Sequence, residues 1–337
     1  MRRKRVLVLM HESLVPPDDI STLSRDEFLE LKTEHDVVST LRTLGHDARP
    51  LGLYDDLAPL RRAIGEFAPD IVFNLLEEFR GEPMLDQNVV SYLELVGVRY
   101  TGCNPRGLMI ARDKALSKKI LHYHRIAVPR FAVFPQRRKV RRPAGLDFPL
   151  IVKSQVEEAS AGIAEASVVY NDDKLRERVA FVHERIGTAA IAEQYIDGRE
   201  LYVGVLGDAR LQVLPVWELS LNQLRPDAPR IATRTAKWNP EFQERRQVLI
   251  GRAENLSSEL EAQFGKITRR LYRALGLSGY ARIDFRLDVT NRPYFLEANP
   301  NPDIGYETEF SEAGLAAGLA YPQLLQRILR IGLRAAR

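Results

Sequence analysis

The chain predicts an α/β protein of two or three domains, and three observations lead there. Its N-terminal third alternates apolar strand patterns with helical ones, the signature of a parallel sheet carrying helices on its faces. Its later part holds strand pairs separated by turn residues, Asp197-Gly198 and Thr290-Asn291, which read as antiparallel hairpins. Its 337 residues exceed what one core usually organises, at about 150 residues per domain.

Val6 to Met10 is a short apolar run behind Arg2-Arg-Lys-Arg5 and reads as a buried first strand. Its apolar part is shorter than the ~7–15 residues of a secretory h-region. A helix is expected around Glu34 to Leu44, a strand from Asp70 to Leu75 and a helix from Asp86 to Leu95. Gly97 to Gly102 reads as a further short strand ending in a turn, and Asn104-Pro105 as a boundary. A helix from Asp113 to His124 and a strand from Arg130 to Phe134 follow. Gln136 to Arg142 holds five positive charges in seven residues. With no aromatics interleaved it reads as a solvated loop rather than a nucleic-acid patch. Phe148 to Lys153, Ala189 to Tyr195 and Glu200 to Leu206 read as strands, the last two joined by the Asp197-Gly198 turn. Leu219 to Glu244 is polar, proline-punctuated and aperiodic, and a loop of that length is usually functional, often a lid. A helix from Leu256 to Leu275, strands from Tyr280 to Asp288 and Arg292 to Asn299, and an apolar helix from Tyr321 to Leu333 close the chain.

Composition narrows the function classes. Hydrophobic residues at 45% and charged residues at 28% are those of an ordinary globular protein, which argues against disorder or fibres. The net charge of +4 is a mild bias that suits anionic small ligands and is too weak to indicate nucleic acid. The single cysteine, Cys103, permits no internal disulfide and points to a reducing compartment. No apolar stretch approaches the roughly 18 residues of a membrane-spanning helix.

The most informative segment runs from Tyr280 to Asn299. A hairpin centred on Thr290-Asn291 sets Asp284 opposite Glu297 and Arg282 opposite Asn299. Because strand residues alternate faces, these four share one side, while Ile283, Phe285, Leu287, Leu296 and Ala298 share the core side. Two carboxylates and an amide oxygen on a sheet surface suit a hard cation such as Mg2+, which commonly bridges nucleotide phosphates. Arg282 beside them suits an anion or a developing oxyanion. A surface hairpin laced with cross-strand ion pairs would look the same in sequence. Lys153 ends the strand Leu150-Ile-Val and precedes Ala159-Ser160-Ala161-Gly162, small residues that let backbone N–H groups approach a phosphate. It is not a Walker A loop. Lys114 opens a helix and Lys237 lies in the expected lid.

Taken in order, Val72-Phe-Asn-Leu-Leu76 with Gly81-Glu82, Tyr100-Thr-Gly102, Asp113-Lys114, Ile151-Val-Lys153, Glu193-Gln-Tyr-Ile-Asp-Gly-Arg-Glu200, Ala236-Lys237-Trp238, Arg282-Ile-Asp284 and Leu296-Glu-Ala-Asn299 resemble the ATP-grasp carboxylate-amine ligases. Within them the D-alanine-D-alanine ligase branch is the nearest likeness, over nearly the whole chain from Asp70 onward. The resemblance implies a three-domain ATP-grasp fold: an N-terminal α/β domain over 1–112, a central lid domain over 113–192 and a C-terminal catalytic domain over 193–337. It implies that Lys114, Lys153 and Lys237 contact the ATP phosphates, with Ser160 in the loop over them. Glu193, Gln194 and Ile196 would bind adenine and Glu200 the ribose. Asp284, Glu297 and Asn299 would hold two Mg2+ ions, or Mn2+ in their place, and Arg282 would be catalytic. The implied reaction forms an acyl phosphate and ADP, then an amide, in the cytoplasm, from amino acids, amines or short peptides, with a homodimer allowed.

The substrate side departs from the resemblance. The family's Gly-rich turn and glutamate after the first strand are replaced by His11-Glu-Ser-Leu-Val-Pro-Pro-Asp18. Its Ser-Tyr-Glu latch is missing, Ala159 and Trp238 standing at the serine and tyrosine positions. Glu77 stands where the family has a substrate-facing histidine, so Glu77, Glu82 and Glu12 are expected to form an acidic pocket, while Thr308 aligns with the hydroxyl that holds the acceptor carboxylate. A ligase with substrates other than two D-alanines follows; a genuine D-alanine-D-alanine ligase and a nucleotide-binding protein that has lost catalysis are the alternatives.

Overall fold

A computed structural model describes residues 2–157, 164–221, 231 and 248–335. Strands β1 (Arg5–His11), β2 (Asp47–Leu53) and β3 (Ile71–Asn74) form a parallel sheet in the order β2-β1-β3. Val6 to Met10 is buried throughout, as a central strand covered on both faces requires. Helix α1 (Arg25–Thr43) begins well before Glu34, because Ser24 and Glu27 close a capping box ahead of the apolar stripe. β2 and α2 (Ala58–Phe67) escape the sequence pattern. Asp47, Arg49 and Pro50 interrupt the apolar run of β2, which an edge strand tolerates. The expected strand at Gly97 to Gly102 reduces to a parallel bridge between Tyr100 and Val72.

Helix α3 (Asp86–Leu95) lies where its periodicity predicts. Asn104-Pro105 is a helix start rather than a boundary alone: Asn104 caps and Pro105 opens α4 (Pro105–Arg112). Asp113 then ends α4 and caps α5 (Lys114–Tyr123), accepting from the N–H groups of Ala115 and Leu116.

A second sheet, antiparallel in the order β4-β7-β5-β6, contains β4 (Phe131–Phe134), β5 (Leu150–Ser154), β6 (Val168–Val169) and β7 (Ala190–Gln194). It packs on α6 (Asp172–Phe181) around Leu150, Val152, Leu175 and Val179. The basic segment from Gln136 joins β4 to β5 as a mostly exposed loop. A third sheet, antiparallel in the order β10-β9-β8-β11-β12, contains β8 (Gly198–Leu206), β9 (Gln212–Leu221), β10 (Val248–Arg252), β11 (Tyr280–Asp288) and β12 (Pro293–Pro300). Helix α7 (Ser258–Ala274) covers one face, and α8 (Glu309–Ala316) and α9 (Tyr321–Arg334) follow β12.

Asp197-Gly198 does not turn a hairpin. β7 pairs with β4 and β5, whereas β8 pairs with β9 and β11, so the dipeptide passes the chain from one sheet to the next. Gly198 has φ +151, and a Cβ there would lie 2.0 Å from the Leu287 carbonyl oxygen. The glycine serves a close approach to β11, not a tight turn. The last helix completes the first sheet: Leu324, Leu325 and Ile328 of α9 share one core with Val6, Val8 and Met10 of β1. Of the expected lid, Leu219 to Leu221 belong to β9, and Lys237 and Trp238 lie outside the described residues. Among the described residues no helix is long and apolar enough to cross a membrane.

Candidate active site

The β11–β12 hairpin pairs Arg282 with Asn299, Ile283 with Ala298 and Asp284 with Glu297, the register its turn predicts. Beyond Asp284 the register slips by one, so that Phe285 faces Phe295. This β-bulge corrects one expectation: Phe295 takes the buried core position, and Leu296 is only partly buried. The bulge also has a use, since the Leu296 carbonyl accepts a hydrogen bond from the Lys118 ammonium.

Arg282 makes a two-pronged pair with Asp284, Nε to Oδ1 at 2.9 Å and Nη2 to Oδ2 at 3.0 Å. It also reaches Glu309 at 3.2 Å and stacks over the Tyr202 ring at 4.8 Å. Burial alone would weaken its hold on the proton, but Asp284 and then Glu309 outweigh that and leave the guanidinium more basic than usual. Among the described residues no three His, Cys, Asp or Glu side chains converge as a metal-binding group. The donor set is two carboxylates on adjacent strands plus an amide. Asn299 can offer its amide oxygen to a hard cation, whereas its amide nitrogen, buried with no hydrogen-bond partner, is a donor and not a ligand.

Beside this face lies a buried cluster of ammoniums. The Glu193 carboxylate, 1% exposed, has the Lys118 ammonium at 3.0 Å and that of Lys153 at 3.3 Å from one oxygen. Burial raises and the two lysines lower the Glu193 carboxyl, and the lysines prevail. Burial pushes Lys118 down to about 8, with Glu193 offsetting part of the effect, whereas at Lys153 Glu193 and Glu297 win and the net shift is upward. Lys114 links the cluster to the hairpin, its ammonium 3.6 Å from Glu297. Its place is set by α5: the Lys114 N–H donates to the Gln155 carbonyl, and Gln155 Nε2 donates to Asp113 Oδ1 at 2.9 Å.

Glu200 is buried with both oxygens engaged, by Tyr202 Oη and by Arg286 Nη2, each at 2.8 Å. Gln194 is exposed at the end of β7, with its N–H donating to the Arg130 carbonyl, and Ile196 is buried. Ser160, like Lys237, lies outside the described residues.

On the other side of Arg282 is a cavity of about 280 Å³. Arg282, Glu297 and Asn299 line it together with Asp303, Thr308 and Glu309. The Thr308 hydroxyl donates to the Gly305 carbonyl at 2.9 Å and precedes α8. Glu77 is exposed, and its charge is felt by the Tyr280 hydroxyl and by Glu34, a buried carboxyl of α1. Glu12 and Glu82 are exposed and do not line this cavity.

Sequence reasoning missed Lys118, Arg286, Glu34 and Asp303. Two of them had a signal. Lys118 stands four residues after Lys114 on one helix face, and Arg286 two residues after Asp284 on one strand face. Glu34 and Asp303 had none, because only packing brings α1 to the loop after β12.

Residues 120–330 match the sequence model of the D-ala D-ala ligase C-terminus. A D-alanine–D-alanine ligase of Bordetella petrii is 32% identical over 273 residues, covering 80% of this chain and 78% of that one. An uncharacterised protein of Sinorhizobium fredii is 30% identical over 308 residues, covering 88% and 86%. The crystal structure of D-alanine–D-alanine ligase from Bacillus anthracis complexed with ATP superimposes with a TM-score of 0.75 at 23% identity, covering 98% of both chains. That likeness is one of fold.

Proposed function

The chain belongs to the D-ala D-ala ligase family, whose members are ATP-dependent, ADP-forming C–N ligases using Mg2+, and from that premise we propose a carboxylate-amine ligase acting on amino acids or short peptides other than a pair of D-alanines. The observation that supports it best is the 3.6 Å approach of Lys114 to Glu297. It sets a phosphate-binding lysine against the carboxylate that would face a cation.

In this reading the domains are 1–112, 113–192 and 193–337, with ATP between the last two. Lys114 and Lys153 hold the phosphates, joined by Lys237 and Ser160, while Glu193, Gln194 and Ile196 receive adenine. Glu200 receives the ribose through lone pairs left over from Tyr202 and Arg286. Asp284, Glu297 and Asn299 would hold Mg2+, two ions or Mn2+ in their stead, which neutralises phosphate charge during transfer. A substrate carboxylate attacks the γ-phosphorus, the bond to the β-phosphate oxygen breaks, and the lysines take up the charge shared by the phosphoryl oxygens. The amine then attacks the acyl carbon. Arg282 stabilises the oxyanion that forms there, and phosphate departs as the amide carbonyl returns. Thr308 and Glu77 lie on the substrate side, with Glu12 and Glu82 as outer rim charges. An enzyme drawing on ATP in this way belongs in the cytoplasm.

The test is ADP and phosphate release from ATP and Mg2+ across single amino acids, pairs and short peptides, with Arg282→Ala as control. Release that requires both a carboxylate and an amine and collapses in the control is expected; release indifferent to the control would overturn the reading. A second reading, ligation of D-alanine to itself, is favoured by the name of the Bordetella petrii relative. D-alanine alone would then stimulate release.

A further inference from the structure

We propose that Tyr202 is a positioning residue of this site. Its hydroxyl aligns Glu200, the carboxylate read as ribose-binding, and its ring carries the guanidinium of Arg282, so that one buried side chain ties nucleotide seating to the attack of the amine. The proposal deepens the ligase reading and rests on it for what Glu200 and Arg282 do.

The register of the third sheet brings the three groups together. β8 runs antiparallel to β11, with Glu200 opposite Arg286, Tyr202 opposite Asp284 and Gly204 opposite Arg282. Side chains alternate along a strand, so Glu200 and Tyr202 stand on the face that holds Arg282 and Asp284. Gly204 places no side chain opposite Arg282, whose guanidinium reaches its diagonal neighbour, Tyr202, instead.

Tyr202 touches both partners. Its hydroxyl donates to Glu200 Oε1 at 2.8 Å, and the Arg282 guanidinium lies over its ring, 4.8 Å from the centroid. The residue is 1% exposed, with Trp217 of β9 opposite it on the side away from β11. Each partner is anchored from its far side. Glu200 Oε2 accepts from Arg286 Nη2 at 2.8 Å, while Arg286 Nη1 donates to the Gly198 carbonyl at 2.9 Å. Arg282 is gripped along its edge by Asp284 and Glu309. Carboxylates at the edge of a guanidinium fix it within its plane, and a ring on its face keeps it from tilting. Burial, then the Glu200 charge, hold the Tyr202 phenol well above its ordinary range, so it stays a donor to the carboxylate. Without the hydroxyl, Glu200 loses the partner that fixes Oε1. Without the ring, Arg282 keeps its carboxylates and loses the alignment that oxyanion stabilisation requires.

The experiment measures binding of ATP and of 2′,3′-dideoxy-ATP to the full chain with Mg2+ by calorimetry, and turnover by ADP release. Dideoxy-ATP lacks both ribose hydroxyls, so the ratio of the two affinities reports the contact to them. We expect the unaltered chain to prefer ATP by about 10–100-fold and Tyr202→Phe to lose about tenfold of that preference, the loss falling on nucleotide affinity rather than on kcat. Tyr202→Leu removes the ring as well and should also lower kcat by about tenfold. A general loosening of the fold would weaken both nucleotides alike and leave the ratio standing. No preference for ATP in the unaltered chain, or a preference that survives Tyr202→Phe, would overturn the proposal, and so would equal kcat in the two variants. If the leucine variant does not fold, the ratio in Tyr202→Phe decides. The two readings fail separately. A ratio that falls in Tyr202→Phe, in a chain that releases ADP with no mixture, upholds the tie to Glu200 and sinks the ligase. ADP release that collapses in Arg282→Ala, with a ratio unmoved by Tyr202→Phe, upholds the ligase and sinks the tie.

Discussion

The two sides of the Arg282 hairpin treat buried charge in opposite ways. On the side we assign to the nucleotide, Lys118 and Lys153 converge on Glu193, Lys114 reaches Glu297, and each of these buried charges has its answer within the fold. On the other side, Asp303, Glu307, Glu309 and Glu312 line a cavity whose one basic residue among the described lining is Arg282. The contrast teaches where each side gets its stability. The lysine cluster is neutralised within the fold, whereas the cavity lining carries an excess of carboxylates.

The sharpest way to break the comparison is Glu193→Gln, which strands two buried ammoniums. A loss of about 3–5 kcal/mol in urea-monitored unfolding is expected; a loss under about 1 kcal/mol would show that the cluster is not the unit described. Next comes Arg282→Ala, at the seam between the sides. ADP release should slow by about 10²–10³-fold with nucleotide affinity nearly unchanged, and a parallel loss of affinity would place Arg282 with the nucleotide side instead.

The pH dependence of Glu34 is smaller and has a definite sign. Its folded carboxyl keeps its proton up to about 7, while in the unfolded chain it releases it near a glutamate's ordinary 4.5. Between those values the folded state binds more protons, so this group's stabilisation is complete below the lower value and is lost as pH rises through the upper one. Glu34→Gln should therefore gain on the order of 2–3 kcal/mol relative to the parent at pH 8 and little at pH 4. Equal pH profiles would show that the fold does not hold this carboxyl protonated. The least effect is expected from Glu12→Gln and Glu82→Gln, exposed outside the cavity. Stability should stay within about 0.5 kcal/mol, and a selective rise in KM for an amine would extend the acidic lining to them.

Much of this was legible from residues alone. Strand alternation put Arg282, Asp284, Glu297 and Asn299 on one face, and the pairs form as the turn dictates. The same alternation misplaced Leu296, because a bulge is decided by what packs beneath the hairpin and by the Lys118 ammonium that takes the freed carbonyl. Asp197-Gly198 has the composition of a hairpin turn, yet the chain changes sheets there, since the close approach of β11 and not the dipeptide sets the path.

What the sequence determined by itself was therefore local: the strands and most helices, the hairpin face with its arginine, carboxylates and amide, and the lysines of β5 and α5. Their periods and capping residues lie within a few positions of one another. What tertiary structure alone decided was which distant charges share a space. It seated α9 of the C-terminus on β1 of the N-terminus, drew Lys118 under Glu193, and tied Thr33 of α1 to Asp303 of the loop after β12. The reason is physical. Periodicity reports which side of an element is buried, but the cost or use of a buried charge depends on the sign of the groups packed against it, and those come from elsewhere in the chain.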